Sequence, residues 1–218
     1  MSSAEVLKAL SAERERFLSE GTLVDTFAVV YYHSTRRIVQ SIEAGQRRYP
    51  EICRAQVSAF HAAYVANRRA PEPHWVPYYE MTQGMLRRHT DPGGKLYALL
   101  ERGIHAHVMG DLPRVLRATK PATLSWDDLR SDFFADDPLF VQAARDAFSD
   151  FDHATQRTHG LFRTTHRPLI DFGDWLLSRF GEGSAKVQHQ RHIAWEMAVQ
   201  LTPQSTWSNS SATLNLSH

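Results

Sequence analysis

Residues 95–112, KLYALLERGIHAHVMGDL, decide how this chain is expected to fold. Apolar side chains recur in this stretch at the spacing of an α-helix and cover more than one of its faces, and Pro113 then interrupts the pattern. Apolar residues on several faces are typical of a helix that is packed on several sides. The segment therefore predicts a central buried helix against which other helices pack.

The rest of the chain repeats the helical period, and no stretch shows the alternation that is typical of a strand. Gly21 ends a first amphipathic helix, and Ser125 with Asp128 forms an acidic variant of the capping box at the start of a later one. We expect an all-α fold, with one helical domain of about seven to nine helices over residues 1–201. The polar, serine-rich residues 202–218 lack periodicity and predict a disordered or loosely packed tail.

Composition excludes several classes of partner. The chain has 25 Lys and Arg against 24 Asp and Glu, so its charge gives no general attraction to nucleic acids or anionic membranes. Cys53 is the single cysteine and cannot form an internal disulfide, which fits a reducing compartment. We find no apolar core of a signal peptide and no run of about 20 apolar residues. We therefore expect a cytoplasmic protein that binds neither nucleic acid nor membranes, and the sequence leaves its oligomeric state open.

Two histidines and a carboxylate stand in the last part of the predicted central helix. His107 and Asp111 are four residues apart and lie within about 40° of each other around a helix, whereas His105 lies about 200° from His107. Asp111 is surrounded by apolar residues, and a buried carboxylate needs a charged or hydrogen-bonding partner. The pair can therefore bind a metal ion, belong to a structural network of His, Asp and Arg side chains, or be a metal-free pair that faces solvent or acts in catalysis.

The same spacing recurs in HIAWE, where His192 and Glu196 share one helix face. Two facing helices that each carry such a pair can form a four-ligand nitrogen and oxygen site in a helical bundle. If a metal is bound, we expect His107, Asp111, His192 and Glu196 to hold a divalent ion such as Zn²⁺, Fe²⁺ or Mn²⁺, because the set has no thiolate. Chance also produces such pairs in a chain this rich in histidine and acidic residues, so the spacing alone does not establish a metal site.

Further histidine and tyrosine side chains inside predicted helices are suited to acid and base chemistry. The full set of candidate catalytic residues is His107, Asp111, His105, His33, His61, Tyr32 and Tyr64. The sequence has no P-loop, no dinucleotide-binding glycine motif and no Gly-x-Ser-x-Gly elbow. Two hypotheses stay open. One is a small-molecule enzyme of the hydrolase or lyase/cyclase type with a His/Asp centre, and the other is a non-catalytic protein that binds a small ligand.

Five segments of the chain resemble the bacterial DUF5995 family, whose function is unknown. These segments, which extend over about residues 22–200, are TLVDTFAVVYYHSTRRIVQSIEAG, FHAAYVANRR, GIHAHVMGDLPRVL, WDDLRSDF and RHIAWEMA. The core pattern of that family, Gly-x-Asn-Ala-His-x-x-x-Asp-Leu, is matched by Gly103, Ala106, His107, Asp111 and Leu112. His105 stands where the family has asparagine, which argues against an obligatory ligand role for His105.

HVMGD is also similar, more distantly, to the His-x-x-Gly-Asp element of zinc-dependent phospholipase C and of P1-type nucleases, and HIAWE is similar to the second His-x-x-x-Glu pair of the phospholipase branch. Those all-α enzymes hold three zinc ions. This chain lacks their N-terminal tryptophan, and LPRVL follows Asp111 where they have a nearby third histidine. The resemblance therefore does not extend to a trinuclear zinc site.

Overall fold

The computed structural model describes residues 1–88, 93–157 and 186–200. The helices are α1 Ser3–Glu20, α2 Thr26–Glu43, α3 Pro50–Arg69, α4 Val76–Arg88, α5 Gly93–His105, α6 Leu112–Thr119, α7 Trp126–Phe134, α8 Asp137–Arg157 and α9 at 186–200. A 3₁₀ turn at Leu23–Asp25 precedes α2, and a π-helical turn at Ala106–Asp111 joins α5 to α6. These ranges contain no strand, so the predicted all-α class and helix number are confirmed. The predicted tail at 202–218 lies outside the described residues.

Helix ends lie where the sequence supplies capping groups. The Ser2 hydroxyl accepts a hydrogen bond from the Glu5 N–H at 3.3 Å, and the Glu5 carboxylate accepts one from the Ser2 N–H at 2.7 Å. Ser125 and Asp128 form the second capping box, as predicted. Gly21 ends α1 with φ 67°, in the left-handed region that favours glycine.

Helix α2 packs against α1, α3, α5 and α8, while α4 packs on α5 and α3 packs on α6. This arrangement forms a main core whose largest fully buried side chains include Trp75, Tyr64, Tyr78 and Phe17. A second core lies between α6, α7 and α9 and consists of Leu112, Leu116, Leu129, Phe133, Ala194, Trp195 and Ala198. Among the described helices, none is long and apolar enough to cross a membrane.

The segment predicted as one helix at 95–112 changes its winding before it ends. The N–H of Leu112 donates to the carbonyl of His107, five residues earlier, where a regular α-helix would use the carbonyl four residues earlier. Pro113 explains the change, because its ring would clash with the carbonyl of Met109 in a regular α-helix. The resulting wide turn contains both His107 and Asp111, and turns of this kind are frequent at functional sites.

Glycine allows α5 to approach α2 closely. A Cβ added to Gly103 would lie 2.9 Å from Cδ2 and 3.0 Å from Cβ of Phe27. Phe27 is itself buried, and its ring stands 5.4 Å from the ring of Trp75. Any larger residue at position 103 would therefore force α5 away from α2 or displace Phe27.

Candidate functional site

Asp111 is the centre of a buried hydrogen-bond cluster at the end of the π-helical turn. Its Oδ1 accepts from Nε2 of His74 at 2.9 Å and from Nδ2 of Asn67 at 3.4 Å. Its Oδ2 accepts from Nε1 of Trp75 at 2.9 Å and from Nδ1 of His107 at 3.2 Å. Burial by itself raises the pKa of Asp111, but the hydrogen bonds from His107, His74 and Trp75 outweigh burial and hold that pKa well below its ordinary value. Asp111 is therefore an ionised carboxylate that the protein surrounds with donors.

Three parts of the fold supply these donors. Asn67 comes from the last turn of α3, and His74 and Trp75 immediately precede α4. Gly110 leaves the space that the His74 ring occupies, since a Cβ at position 110 would lie 2.0 Å from Cδ2 of His74. The cluster thus joins α3, the segment before α4 and the π-helical turn at one buried point.

Arg114 closes the outer side of the cluster. Its Nη1 donates to Oε2 of Glu72 at 2.6 Å, and its Nη2 lies 3.8 Å from Oδ1 of Asp111. The arginine is partly exposed and shared between two carboxylates. The main ion pair of Arg114 is therefore with Glu72. The side chains that donate directly to Asp111 are two histidines, an asparagine and a tryptophan.

His107 connects the cluster to a cavity of about 190 Å³ whose wall is largely apolar. The centroid of its ring lies 4.6 Å from that of Phe60, 4.7 Å from that of Tyr31 and 5.3 Å from that of Phe27. While Nδ1 is bonded to Asp111, Nε2 has no hydrogen-bond partner among the described residues and is not enclosed by protein. His107 thus lines the cavity, and one nitrogen of its otherwise packed ring is left without a partner among the described residues.

The cavity lies between α2, α3, α5, α8 and α9. Its wall includes Val57, Ile104, Leu112 and the thiol of Cys53. Burial raises the pKa of Cys53 to about 11, so this thiol is protonated at neutral pH and reacts only slowly. The apolar walls and the neutral thiol make the cavity suited to an uncharged molecule.

Charged side chains also border the cavity, among them Arg191 and Asp136, and these two are paired with neighbouring groups. Nε of Arg191 donates to Oδ1 of Asp137 at 2.9 Å, and Nη2 donates to the carbonyl of Phe133 at 2.5 Å. Asp136 accepts from Nη2 of Arg47 at 2.5 Å. Burial raises the pKa of Asp136, and the two arginines only partly offset this effect. This second polar group is therefore an internally compensated ion cluster.

Two of the predicted catalytic residues belong to a different part of the fold. Nε2 of His33 lies 2.6 Å from Oδ2 of Asp150, a carboxylate that also accepts from Arg14. The ring centroid of Tyr32 lies 5.1 Å from that of His33, and the guanidinium of Arg14 stacks on the Tyr32 ring at 5.4 Å. These contacts join α1, α2 and α8. The structure does not place His33 or Tyr32 at the cavity that His107 borders.

Tyr64, His61 and His105 also face away from that cavity. The hydroxyl of Tyr64 donates to Glu13 at 2.8 Å, although its ring packs 5.8 Å from that of Phe27. His61 is buried with no hydrogen-bond partner in the described ranges, and burial lowers its pKa. His105 is exposed on the opposite side of the turn from His107 and lies 3.4 Å from Nε2 of Gln190. Of the predicted set, His107 and Asp111 are thus brought together, and His107 lines the cavity.

The four predicted metal ligands do not meet. His192 and Glu196 are exposed on α9, where the ring of His192 stacks on Phe134 at 4.2 Å. The buried side of α9 carries Ala194, Trp195 and Ala198. Across residues 1–88, 93–157 and 186–200, no group of three or more His, Cys, Asp or Glu side chains is placed to hold a metal ion. The two His-x-x-x-carboxylate pairs therefore do not face each other within these ranges.

Three side chains of the Asp111 cluster were not predicted from the sequence. They are Asn67, His74 and Trp75, which supply most of the hydrogen bonds to Asp111. One signal could have pointed to Trp75, since an indole N–H that is buried nearly always needs an acceptor. No comparable signal marks Asn67, whose partner is 44 residues away in the chain.

Comparisons with known proteins give the family and nothing about its activity. No curated protein matches this chain, and no solved structure matches it. A family of unknown function, DUF5995, matches residues 3–216, which is nearly the whole sequence. The resemblance that the core motif indicated is thereby confirmed. The chain belongs to the DUF5995 family of unknown function.

Proposed function

We propose that this protein binds a small, largely apolar molecule in the cavity, and that His107 is the polar group that contacts it. The observation that carries the proposal is an imidazole in an apolar wall, fixed on one side by a buried carboxylate and open on the other. Concave apolar sites with few, well-placed polar groups are the usual form of small-molecule sites. Asp111 then acts as a positioning residue that orients the ring of His107.

The geometry favours this role for Asp111 over binding of a divalent metal such as Zn²⁺, Fe²⁺ or Mn²⁺. A carboxylate offers about four lone-pair positions. In Asp111 these are directed at four nitrogen donors, two on each oxygen. A metal ion would have to displace at least one of these hydrogen bonds. The balanced net charge and the single buried cysteine support the further proposal of a cytoplasmic protein without nucleic-acid or membrane partners.

Occupation of the cavity can be tested with p-xylene as an apolar probe. We expect p-xylene to raise the melting temperature of the parent protein and to slow the reaction of Cys53 with methyl methanethiosulfonate, because Cys53 lines the cavity. Ala144→Leu places a larger side chain in the cavity wall and should abolish both effects. Ala55→Leu is the matched control, since Ala55 is exposed on α3 and outside the cavity. A parent protein that shows neither effect would contradict the proposal.

Acid and base catalysis is a second candidate function, and the pairing of His107 with Asp111 favours it. A carboxylate bonded to Nδ1 fixes the tautomer in which Nε2 can accept a proton from a bound hydroxyl group or water. This chemistry would serve an enzyme of the hydrolase or lyase/cyclase type without a metal ion.

The catalytic candidate can be tested by the hydrolysis of p-nitrophenyl acetate, a small uncharged ester. We expect His107→Phe to lower the rate at least about a hundredfold, the low end of what a positioned base contributes. His105→Phe is the matched control, because His105 is exposed two residues away and outside the cavity. Equal rates in the parent and in both variants would reject catalysis at His107 and leave the binding function in place.

A further inference from the structure

We infer that the molecule bound in the cavity carries a hydroxyl or N–H group on an apolar body of about one ring, and that this group donates a hydrogen bond to Nε2 of His107. The inference rests on the proposed binding function and names the chemical class of the ligand. It follows from the state of His107 that Asp111 imposes.

The carboxylate of Asp111 determines which nitrogen of His107 carries the proton. An ionised carboxylate can only accept hydrogen bonds, so the contact of 3.2 Å requires a proton on Nδ1 of His107. In the neutral imidazole, Nε2 then carries a lone pair and acts as an acceptor. The cavity therefore contains an acceptor of fixed position.

The surroundings of Nε2 leave this acceptor to the ligand. No described side chain donates a hydrogen bond to it, and the rings that pack nearest to His107 are those of Phe60, Tyr31 and Phe27. The hydroxyl of Tyr31 has no partner among the described residues, but it is enclosed by protein and does not reach His107. An apolar ligand that filled the cavity without a donor would exclude water from Nε2 and leave it unpaired, which is unfavourable.

The charges that border the cavity argue against an anionic ligand. Of the cations in the cavity wall, Arg191 already donates to Asp137 and to the carbonyl of Phe133, and Lys186 already pairs with Glu101. A carboxylate placed beside His107 would face the lone pair of Nε2 and lie near the ionised Asp111, with no cation committed to it. A neutral donor group meets neither difficulty.

The size of the cavity limits the apolar body. An apolar protein cavity of about 150 Å³ is known to hold benzene. The cavity here measures about 190 Å³, which suits one ring with one or two small substituents. Phenols and compact aliphatic alcohols or amines fall within this limit.

The test compares p-cresol with p-xylene, which have nearly the same shape and differ by a hydroxyl in place of a methyl group. The measured quantity is the ratio of the dissociation constant of p-xylene to that of p-cresol, determined by calorimetry for the parent, His107→Leu and His105→Leu. We expect the ratio to fall at least about tenfold in His107→Leu, the effect of one buried hydrogen bond, and to stay unchanged in His105→Leu. His107→Gln offers both a donor for Asp111 and an acceptor for the cavity, and should restore part of the ratio.

The outcomes distinguish failure of this inference from failure of the proposed binding function. If p-xylene binds and the ratio is the same in the parent and in His107→Leu, the inference is overturned while the binding function stands. If neither compound binds the parent, both are overturned. p-Methylanisole can only accept a hydrogen bond. If its affinity relative to p-xylene depends on His107 in the way expected for p-cresol, Nε2 is a donor and the inference fails. Should His107→Leu not fold, the ¹⁵N shift of Nε2 in the parent decides, since p-cresol must move it and p-xylene must not.

Discussion

Asp111→Leu is expected to lower the free energy of unfolding by about 3–5 kcal/mol, although the replacement fills a similar volume. Leucine cannot accept the hydrogen bonds from Trp75 and His107, and the indole of Trp75 is fully buried. Each buried donor left without an acceptor costs about 1–3 kcal/mol. His74 is partly exposed and can turn to water, so its share of the loss is smaller. Denaturant unfolding of the two proteins measures the difference.

The pH dependence of that difference provides a second check. Because the folded state holds the pKa of Asp111 below its ordinary value, its ionised form contributes stability that is present above about pH 4 and is lost as the pH falls. The difference in free energy of unfolding between the parent and Asp111→Leu should therefore be largest at neutral pH and should decrease in acid. Asp111→Asn keeps one acceptor oxygen and should lose less. A gap that is the same at every pH would show that packing, and not the ionised carboxylate, causes the loss.

Asp111 also illustrates what the sequence could predict about the site. Its apolar neighbours in GIHAHVMGDL indicated a buried carboxylate that needs partners, and the spacing to His107 put one partner on the same face. The structural network was one of the three alternatives left open. The remaining donors come from Asn67, His74 and Trp75, which reach Asp111 only through the packing of α3 and α4 beside the π-helical turn.

Helical periodicity predicted the helices better than it predicted which helices pack against each other. It predicted the helical class and the approximate number of helices, because an amphipathic stripe of period 3.6 must bury one side. It did not predict α6, which begins at Leu112 where Pro113 interrupts the pattern. It did not determine which helices meet. His33 is buried, as a stripe residue would be, yet its partner is Asp150 on α8 and not His107. His192 shares the spacing of His107 to a carboxylate, but α9 turns Trp195 inward instead.

Arg47 and Arg48 are adjacent residues that also show how little the sequence predicts about tertiary contacts. Both stand in the polar segment between α2 and α3, and the sequence offers nothing to separate them. In the structure the side chain of Arg47 is 2% exposed, whereas Arg48 is on the surface. Only the tertiary arrangement, in which Asp132 and Asp136 of the α7 to α8 region approach this segment, decides which arginine is enclosed.

Arg47→Met is expected to lower the free energy of unfolding by about 3–5 kcal/mol, because it leaves a buried carboxylate without its close cation. Nη1 of Arg47 donates to the carbonyl of Asp132 at 2.7 Å, and Nη2 donates to Oδ1 of Asp136 at 2.5 Å. Without it, the nearest remaining cation is Arg191, whose Nη2 lies 3.9 Å from Oδ2 of Asp136. Arg48→Met is the matched control, since the side chain of Arg48 is exposed, and it should change stability by less than about 1 kcal/mol.

The stability loss of Arg47→Met should also depend on pH, but through a carboxyl group whose pKa is raised in the folded state, whereas that of Asp111 is lowered. Burial already raises the pKa of Asp136 in the folded parent, so its ionised form is disfavoured by folding, and removing Arg47 raises that pKa further. The deficit of the variant should be full above the pKa of Asp136 in the variant and should shrink as acid protonates Asp136, until the pH falls below the pKa of Asp136 in the parent. Asp136→Asn combined with Arg47→Met should recover part of the stability that Arg47→Met loses, because no buried charge is then left uncompensated. Additive losses in the double variant, measured by denaturant unfolding, would show that Arg47 acts through its hydrogen bonds to Ser41 and Asp132 and not through its charge.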